Sequence, residues 1–325
     1  MNGEVLSRVR DEVLAAGRRL GGKLRVTPLE ESPCLSRLIT GDVRLKLENI
    51  QLTGSFKVRG ALNKILSLSP EEREWGVVTA SSGNHGTAMA FLMQRYACSG
   101  TIFLPEYTST AKQEALRMYG AQIILHGNDC LEAEQLARAT AEREGRIYVS
   151  PYNDWQVVGG QGTVGVELAR QCENLDAVLV PVGGGGLMAG VGGYLKTWNP
   201  QIRVIACQPE RSPVMAASLQ AGRIVEMESG PTLSDGTAGG MEPEAITFPV
   251  CQSVVDDCIL VTEEEIAAAI RLMVERHHLL VEGGAALTVA ALCQQPQRFH
   301  NQTVALIISG ARISLDVLRR ILGRE

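Results

Sequence analysis

Short apolar runs alternate along this chain with longer amphipathic stretches, and that alternation predicts its elements. Gly76–Ala80, Gly100–Pro105, Gly120–Leu125 and Ile147–Val149 read as buried strands, with helices at Thr87–Tyr96, Thr110–Tyr119 and Cys130–Glu144 between them. After a polar joint near residues 150–156 the pattern resumes. It gives helix Val157–Gln171, strand Asp176–Val182, helix Leu187–Trp198, strand Arg203–Gln208, helix Thr262–Arg276 and strand Val304–Ile308. An amphipathic helix opens the chain, Val43–Glu48 alternates like a short strand, and another helix begins near Phe56. Residues 222–250 read as irregular. Strands alternating with helices imply βα units and a mostly parallel sheet. The predicted class is therefore α/β, with two domains, each an open sheet flanked by helices. Residues 53–151 make the smaller domain, and residues 1–52 with 152–325 the larger. Sites are expected at the carboxyl ends of strands, facing the interdomain cleft.

Composition narrows the function. The 325 residues suffice for one large or two medium domains. A net charge of −5 leaves no basic footprint for nucleic acid, and 4% aromatic residues offer little surface for base stacking. Eight scattered cysteines form no CxxC pair, and five histidines show no ligand spacing, so no metal site is predicted. Reduced thiols, a charged amphipathic N-terminus and no apolar run long enough for a membrane predict a cytoplasmic protein without membrane contact.

Three strand-to-helix turns carry chemistry. In Lys46–Ala61, KLENIQLTGSFKVRGA, the trio Thr53-Gly54-Ser55 has the composition of a turn and helix cap. Lys57 then falls in the first turn, where the helix dipole opposes a protonated amine. Such a lysine, shielded from water, becomes an available nucleophile, although a snorkelling surface lysine has the same spacing. Ser81-Ser82-Gly83-Asn84-His85-Gly86 offers hydroxyls, an amide, an imidazole and helix N-terminal amides, a set suited to a carboxylate or an enolate-like oxygen. Gly183-Gly184-Gly185-Gly186 ahead of Leu187 opens backbone amides to an anion, most naturally a phosphate. Residues 184–189 also satisfy a dinucleotide fingerprint with Glu210 downstream, a reading that leaves Lys57 and the SSGNHG turn without a task.

Together these motifs resemble the pyridoxal-phosphate enzymes of the tryptophan-synthase-β-like fold (fold type II), in the serine/threonine dehydratase and serine racemase branch. The resemblance runs over nearly the whole chain. It implies that Lys57 is the Schiff-base lysine with Phe56 beside the ring, and that Asn84 meets the ring oxygen. Ser81, Ser82, Asn84 and His85 would lie near the substrate carboxylate. Gly183, Gly184, Gly185, Gly186 and Leu187 would hold the phosphate, and Ser309 the pyridine nitrogen. A hydroxyl partner makes the ring a weaker electron sink than an aspartate would, which suits prompt loss of a β-hydroxyl. The implied reaction is α,β-elimination of water from L-threonine or L-serine, giving a 2-oxo acid and ammonia. Lys57 would serve as the base in that reaction.

In racemases of this branch the residue matching Ser82 is an acid/base on the opposite face, so racemisation is also open here. Residues 309–312 read Ser-Gly-Ala-Arg where the family more often has Ser-Gly-Gly-Asn. Arg312 is either a solvated charge or a pocket-rim residue favouring an acidic substrate such as 3-hydroxyaspartate. Asp235, in the irregular segment, is a second candidate for substrate choice. Gln208 and Val214 stand where racemase-like members carry acidic metal ligands, and Glu210 is out of register. The family further implies a small β-hydroxy amino acid as substrate and a homodimer or higher homo-oligomer. A silent amino-acid-binding protein on the same fold is the alternative from another class.

Overall fold

The computed structural model describes residues 2–323, and two sheets organise them. The larger holds β1 (Leu29–Glu31), β2 (Asp42–Lys46), β7 (Ala177–Pro181), β8 (Arg203–Pro209), β9 (Asp257–Val261) and β10 (Thr303–Ile307). The smaller holds β3 (Val77–Ala80), β4 (Gly100–Leu104), β5 (Gln122–Leu125) and β6 (Ile147–Tyr148). Their orders are β1-β2-β10-β7-β8-β9 and β5-β4-β3-β6. Every pairing is parallel except β1 with β2, which fits the βα alternation of the sequence. The α/β class and the parallel-sheet cores follow directly.

Each face of the large sheet buries apolar side chains under helices, as a parallel sheet requires. Helices Glu263–His277 and Gly283–Gln294 cover one face through Ile266, Ile270, Leu287 and Leu292, which meet Leu45, Leu179 and Leu306. Helices Trp155–Gln171 and Gly186–Trp198 cover the other through Val158, Leu168, Val191 and Leu195, which meet Val178, Val204 and Ile307. These two helices meet at a glycine seam. A Cβ on Gly190 would lie 2.5 Å from the Gly162 nitrogen. Helix Lys57–Ser67 crosses helix Trp155–Gln171 in the same way, and a Cβ on Gly160 would lie 2.6 Å from Gly60 Cα.

The strand order matters most for function. β10, nearly last in sequence, inserts between β2 and β7, with Val304 level with both Val43 and Ala177. The segments leaving β2, β10 and β7 therefore emerge side by side. These are the segments that carry Lys57, Ser309 and the tetraglycine turn.

Several short elements carried no sequence signal. β9 is half-exposed, and helices Pro33–Ile39, Val214–Ala221, Thr247–Val254 and Leu315–Leu322 span two turns each. Thr247–Val254 interrupts the stretch read as irregular. Among the described residues no helix is long and apolar enough to cross a membrane.

Candidate active site

The Lys57 helix does not start with the side-chain cap that its turn composition suggests. Phe56 occupies the cap position in a right-handed helical conformation, and no side chain caps the first turn. Thr53 Oγ1 and Ser55 Oγ are buried without partners among the described residues, and Thr53 adopts a left-handed φ of 65°. Main-chain bonds to the segment after β10 fix the turn instead. The Phe56 N–H donates to the Ser309 carbonyl at 3.1 Å, and the Ala311 N–H to the Gly54 carbonyl at 2.9 Å. Lys57 and Ser309 are thus registered to one another through backbone.

Lys57 is the first residue of its helix, and its amine donates to the Pro151 carbonyl at 2.9 Å. It lies 5.2 Å from the centroid of the Phe56 ring. Burial brings its pKa down to about 8, opposed by the nearby Glu282 carboxylate. This amine gives up its proton far closer to neutrality than an ordinary lysine does, the condition a nucleophile or base needs.

The SSGNHG turn leaves β3 and enters helix Asn84–Arg95 earlier than the apolar pattern indicates. Gly86 packs on the Ser81 carbonyl so closely that any Cβ would collide with it. Asn84 reaches across to the large-sheet side, where Nδ2 donates to both oxygens of Glu282 at 2.9 Å. Its Oδ1 is buried without a partner among the described residues. His85 faces inward, with Nε2 at 3.1 Å from the Val149 carbonyl, and burial beside Lys57 pulls its pKa down to about 3. The imidazole is therefore neutral and packed rather than open to a ligand. Ser81 Oγ accepts from the Gly83 N–H at 3.3 Å, and Ser82, half-buried, makes no side-chain hydrogen bond among the described residues.

Each of the four glycines after β7 meets protein where a Cβ would stand. Gly183 abuts Thr237, Gly184 and Gly186 abut Tyr152, and Gly185, at φ +85°, abuts Met215, Thr247 and Cys251. The run is thus demanded by packing as well as by any ligand. Packed this way, the amides of Gly183 to Leu187 meet no protein acceptor among the described residues, and no side chain caps helix Gly186–Trp198. Free amides at the positive end of a helix form an anion site.

Ser309 is buried (3% exposed), and its hydroxyl makes no hydrogen bond among the described residues. Arg312 is not the solvated charge of one sequence reading. It is half-buried, and its guanidinium donates to the Gly83 carbonyl of the SSGNHG turn at 3.3 Å. The Asp235 side chain is mostly exposed, 3.9 Å from Lys112 on the other side. Gln208 spends both ends of its amide on main chain, donating to Val182 O and accepting from Ala216 N. Glu282 is the functional candidate that sequence reasoning passed over. Its sole signal was an acidic residue ahead of two glycines at a helix start.

Comparison with known proteins decides the family. The pattern described as "Pyridoxal-phosphate dependent enzyme" matches residues 22–310. An L-threonine ammonia-lyase of Thermotoga maritima is 41% identical over 314 residues, covering 97% of this chain and 78% of that protein. The chain belongs to the pyridoxal-phosphate-dependent enzymes. Among solved structures, the processed threonine deaminase isoform 2 of Solanum lycopersicum superposes with a TM-score of 0.91 at 33% identity, covering 98% of this chain and 87% of that one. Maize serine racemase also gives 0.91, at 31% identity, covering 97% and 96%.

The residues present fit the family's cofactor. A buried amine of lowered pKa suits its aldehyde, and five amides at a helix start without acceptors among the described residues suit its phosphate; Asn84 Oδ1, without a partner among them, and the buried Ser309 hydroxyl leave polar atoms for its ring.

Proposed function

We propose that this chain is a dehydratase (ammonia-lyase) that eliminates water from L-threonine or L-serine, releasing a 2-oxo acid and ammonia. The observation that carries this reading is the buried, easily deprotonated amine of Lys57 on the Pro151 carbonyl. The threonine ammonia-lyase name of the 41%-identical relative supports the substrate class. When bound, the cofactor supplies an electrophilic carbon for amines and an electron sink for the Cα–H bond. In this reading the amides of Gly183 to Leu187 take its phosphate, Ser309 its ring nitrogen and Asn84 its ring oxygen. Phe56 gives the ring an apolar neighbour. Ser81, Ser82 and the helix-start amide of Asn84 orient the substrate carboxylate. Lys57 would lift the Cα proton, and the β-hydroxyl would take up a proton and leave as water. The active site lies between a domain of residues 53–151 and one built from 1–52 and 152–325. The protein acts as a cytoplasmic homodimer or higher homo-oligomer.

The test is borohydride reduction of the yellow protein. It should fix the cofactor covalently on Lys57 and abolish release of 2-oxobutyrate from threonine and pyruvate from serine. A Lys57→Ala variant that still turns over either substrate refutes the role of Lys57. One observation favours a second reading, an acidic β-hydroxy amino acid as substrate, because the half-buried Arg312 guanidinium sits on the Ser81–Asn84 turn. Faster turnover of 3-hydroxyaspartate than of threonine, lost in Arg312→Ala, would select it. Interconversion of serine enantiomers, lost in Ser82→Ala, would instead mark racemisation.

A further inference from the structure

Glu282 has no task in the reaction just described, yet it is among the most tightly held polar groups of the site. It precedes helix Gly283–Gln294 without capping it and is buried (7% exposed). Both its oxygens face Asn84 Nδ2 at 2.9 Å, and Oε2 also accepts from the Arg312 N–H at 3.0 Å. Gly310 packs against it so closely that a Cβ there would come within 2.5 Å of Oε1. The charged groups facing it are Lys57 from its own helix, Asp235 from the turn at 235–237, and the Arg312 guanidinium from the segment after β10. Asn84, from helix Asn84–Arg95, faces it as a neutral amide.

An ionised carboxylate can only accept hydrogen bonds. It therefore draws the N–H side of the Asn84 amide towards itself, and this leaves Asn84 Oδ1 buried with no partner among the described residues. A buried carbonyl without a donor is an unfavourable end state. Protonation removes it. A protonated Glu282 has an O–H to give, and the Asn84 amide can turn over to accept that proton on Oδ1. Its N–H then faces away from Glu282.

We propose that Glu282 works in its protonated form as a positioning residue, turning the Asn84 amide so that its N–H is offered to the ring oxygen of the cofactor. The proposal rests on the reading of Asn84 as the ring-oxygen contact. Burial already pushes the Glu282 carboxyl up to about 7, against the pull of the Asn84 and Arg312 N–H groups. A bound anionic cofactor pushes it further in the same direction. The proton comes from solvent as the cofactor binds, and it stays on Glu282 Oε while the amide is turned.

The ring oxygen is an oxyanion when an N–H donates to it and a hydroxyl when a carbonyl faces it. The first form absorbs in the visible and the second nearer the ultraviolet. The experiment is a pH titration of the holoenzyme's absorbance, paired with the infrared carbonyl band of a protonated carboxylic acid. In the wild type the visible band should give way to the near-ultraviolet band as pH rises through the titration of Glu282, and the infrared band should vanish in step. Glu282→Gln carries a permanent N–H donor for Asn84 Oδ1, so its visible band should hold across the same range. An unchanged titration in Glu282→Gln overturns the proposal. So does a wild-type infrared band that titrates without the visible one, a measurement that stands even if the variant fails to fold. A protein that binds no cofactor refutes the reading of the site instead.

Discussion

Two residues past Lys57 the same helix carries Arg59, which is 2% exposed and holds a cluster that can be tested by a single substitution. Arg59 makes a two-pronged contact with Glu48, Nε to Oε2 and Nη2 to Oε1, both at 2.7 Å. It also donates to Glu167 at 2.7 and 3.0 Å and to Thr163 at 3.2 Å. Lys46, wholly buried, donates to Glu167 at 2.6 Å. Two cations and two carboxylates balance, and the cluster ties the Lys57 helix to the end of β2 and to helix Trp155–Gln171. Burial holds the Lys46 pKa below its ordinary value despite this partner. Leaving water thus costs the Lys46 ammonium more than Glu167 returns, and every charge here depends on its neighbours.

Arg59→Met leaves Glu48 and Glu167 facing Lys46 alone, one uncompensated buried carboxylate. Breaking a buried pair in this way costs roughly 3–5 kcal/mol, a large share of a total stability of about 5–15 kcal/mol. Adding Glu48→Gln restores neutrality, and the double variant should recover about 1–3 kcal/mol of the loss. The stranded carboxylate of the single variant has its folded-state pKa raised above the unfolded value. The deficit is therefore largest above that raised pKa and shrinks as pH falls through it. Urea unfolding followed by tryptophan fluorescence, at neutral and mildly acidic pH, measures all three effects. A loss below about 1 kcal/mol, or a double variant no better than the single, would refute the charge-balance argument.

Two further outcomes follow from the same geometry. Gly184→Ala sets a Cβ 2.5 Å from the Tyr152 ring, which must push the ring or the anion loop aside. Cofactor affinity, measured by titrating the apo-protein, should fall at least about tenfold, or ~1.4 kcal/mol, while far-ultraviolet circular dichroism stays unchanged. In the apo-protein the Lys57 pKa falls from 10.5 to about 8. The protonated amine is thus disfavoured in the fold by roughly 3 kcal/mol below about pH 8, and the penalty fades between that value and the unfolded pKa. Lys57→Met should raise apo-protein stability by that order at neutral pH and by little near pH 10.5, as read by thermal unfolding.

The sequence made the fold legible where apolar periodicity is strong. The buried strands β3, β7, β8 and β10 read as short apolar runs because both of their faces are covered. β9 escaped because only two of its five residues, Ile259 and Val261, are buried. The short helices escaped because two turns give periodicity too little length to register. Lys57, Asn84 and the tetraglycine turn stood out because each sits at a strand-to-helix junction with a composition rare elsewhere in the chain. The role of glycine in that turn was only half legible. Its need to pack against Tyr152, some thirty residues earlier in sequence, depends on a contact that no local pattern encodes.

Glu282 shows where local reading stops. Nothing in Val281-Glu282-Gly283-Gly284 separates a buried carboxylate from an ordinary acidic residue at a helix start, which the dipole favours at any surface. What makes it different is the insertion of β10 between β2 and β7. That order brings the Ser309–Arg312 segment against the Lys57 turn, through the bonds from Phe56 to Ser309 and from Ala311 to Gly54. The same segment donates the Arg312 N–H to Glu282 and takes the Glu282 N–H on the Gly310 carbonyl at 3.0 Å. Asn84 then arrives from the other sheet. A residue defined by three segments that lie far apart in sequence has no one-dimensional signature. Its raised pKa is a property of that assembly, since separating the two sheets would return the carboxyl to water and to its ordinary range.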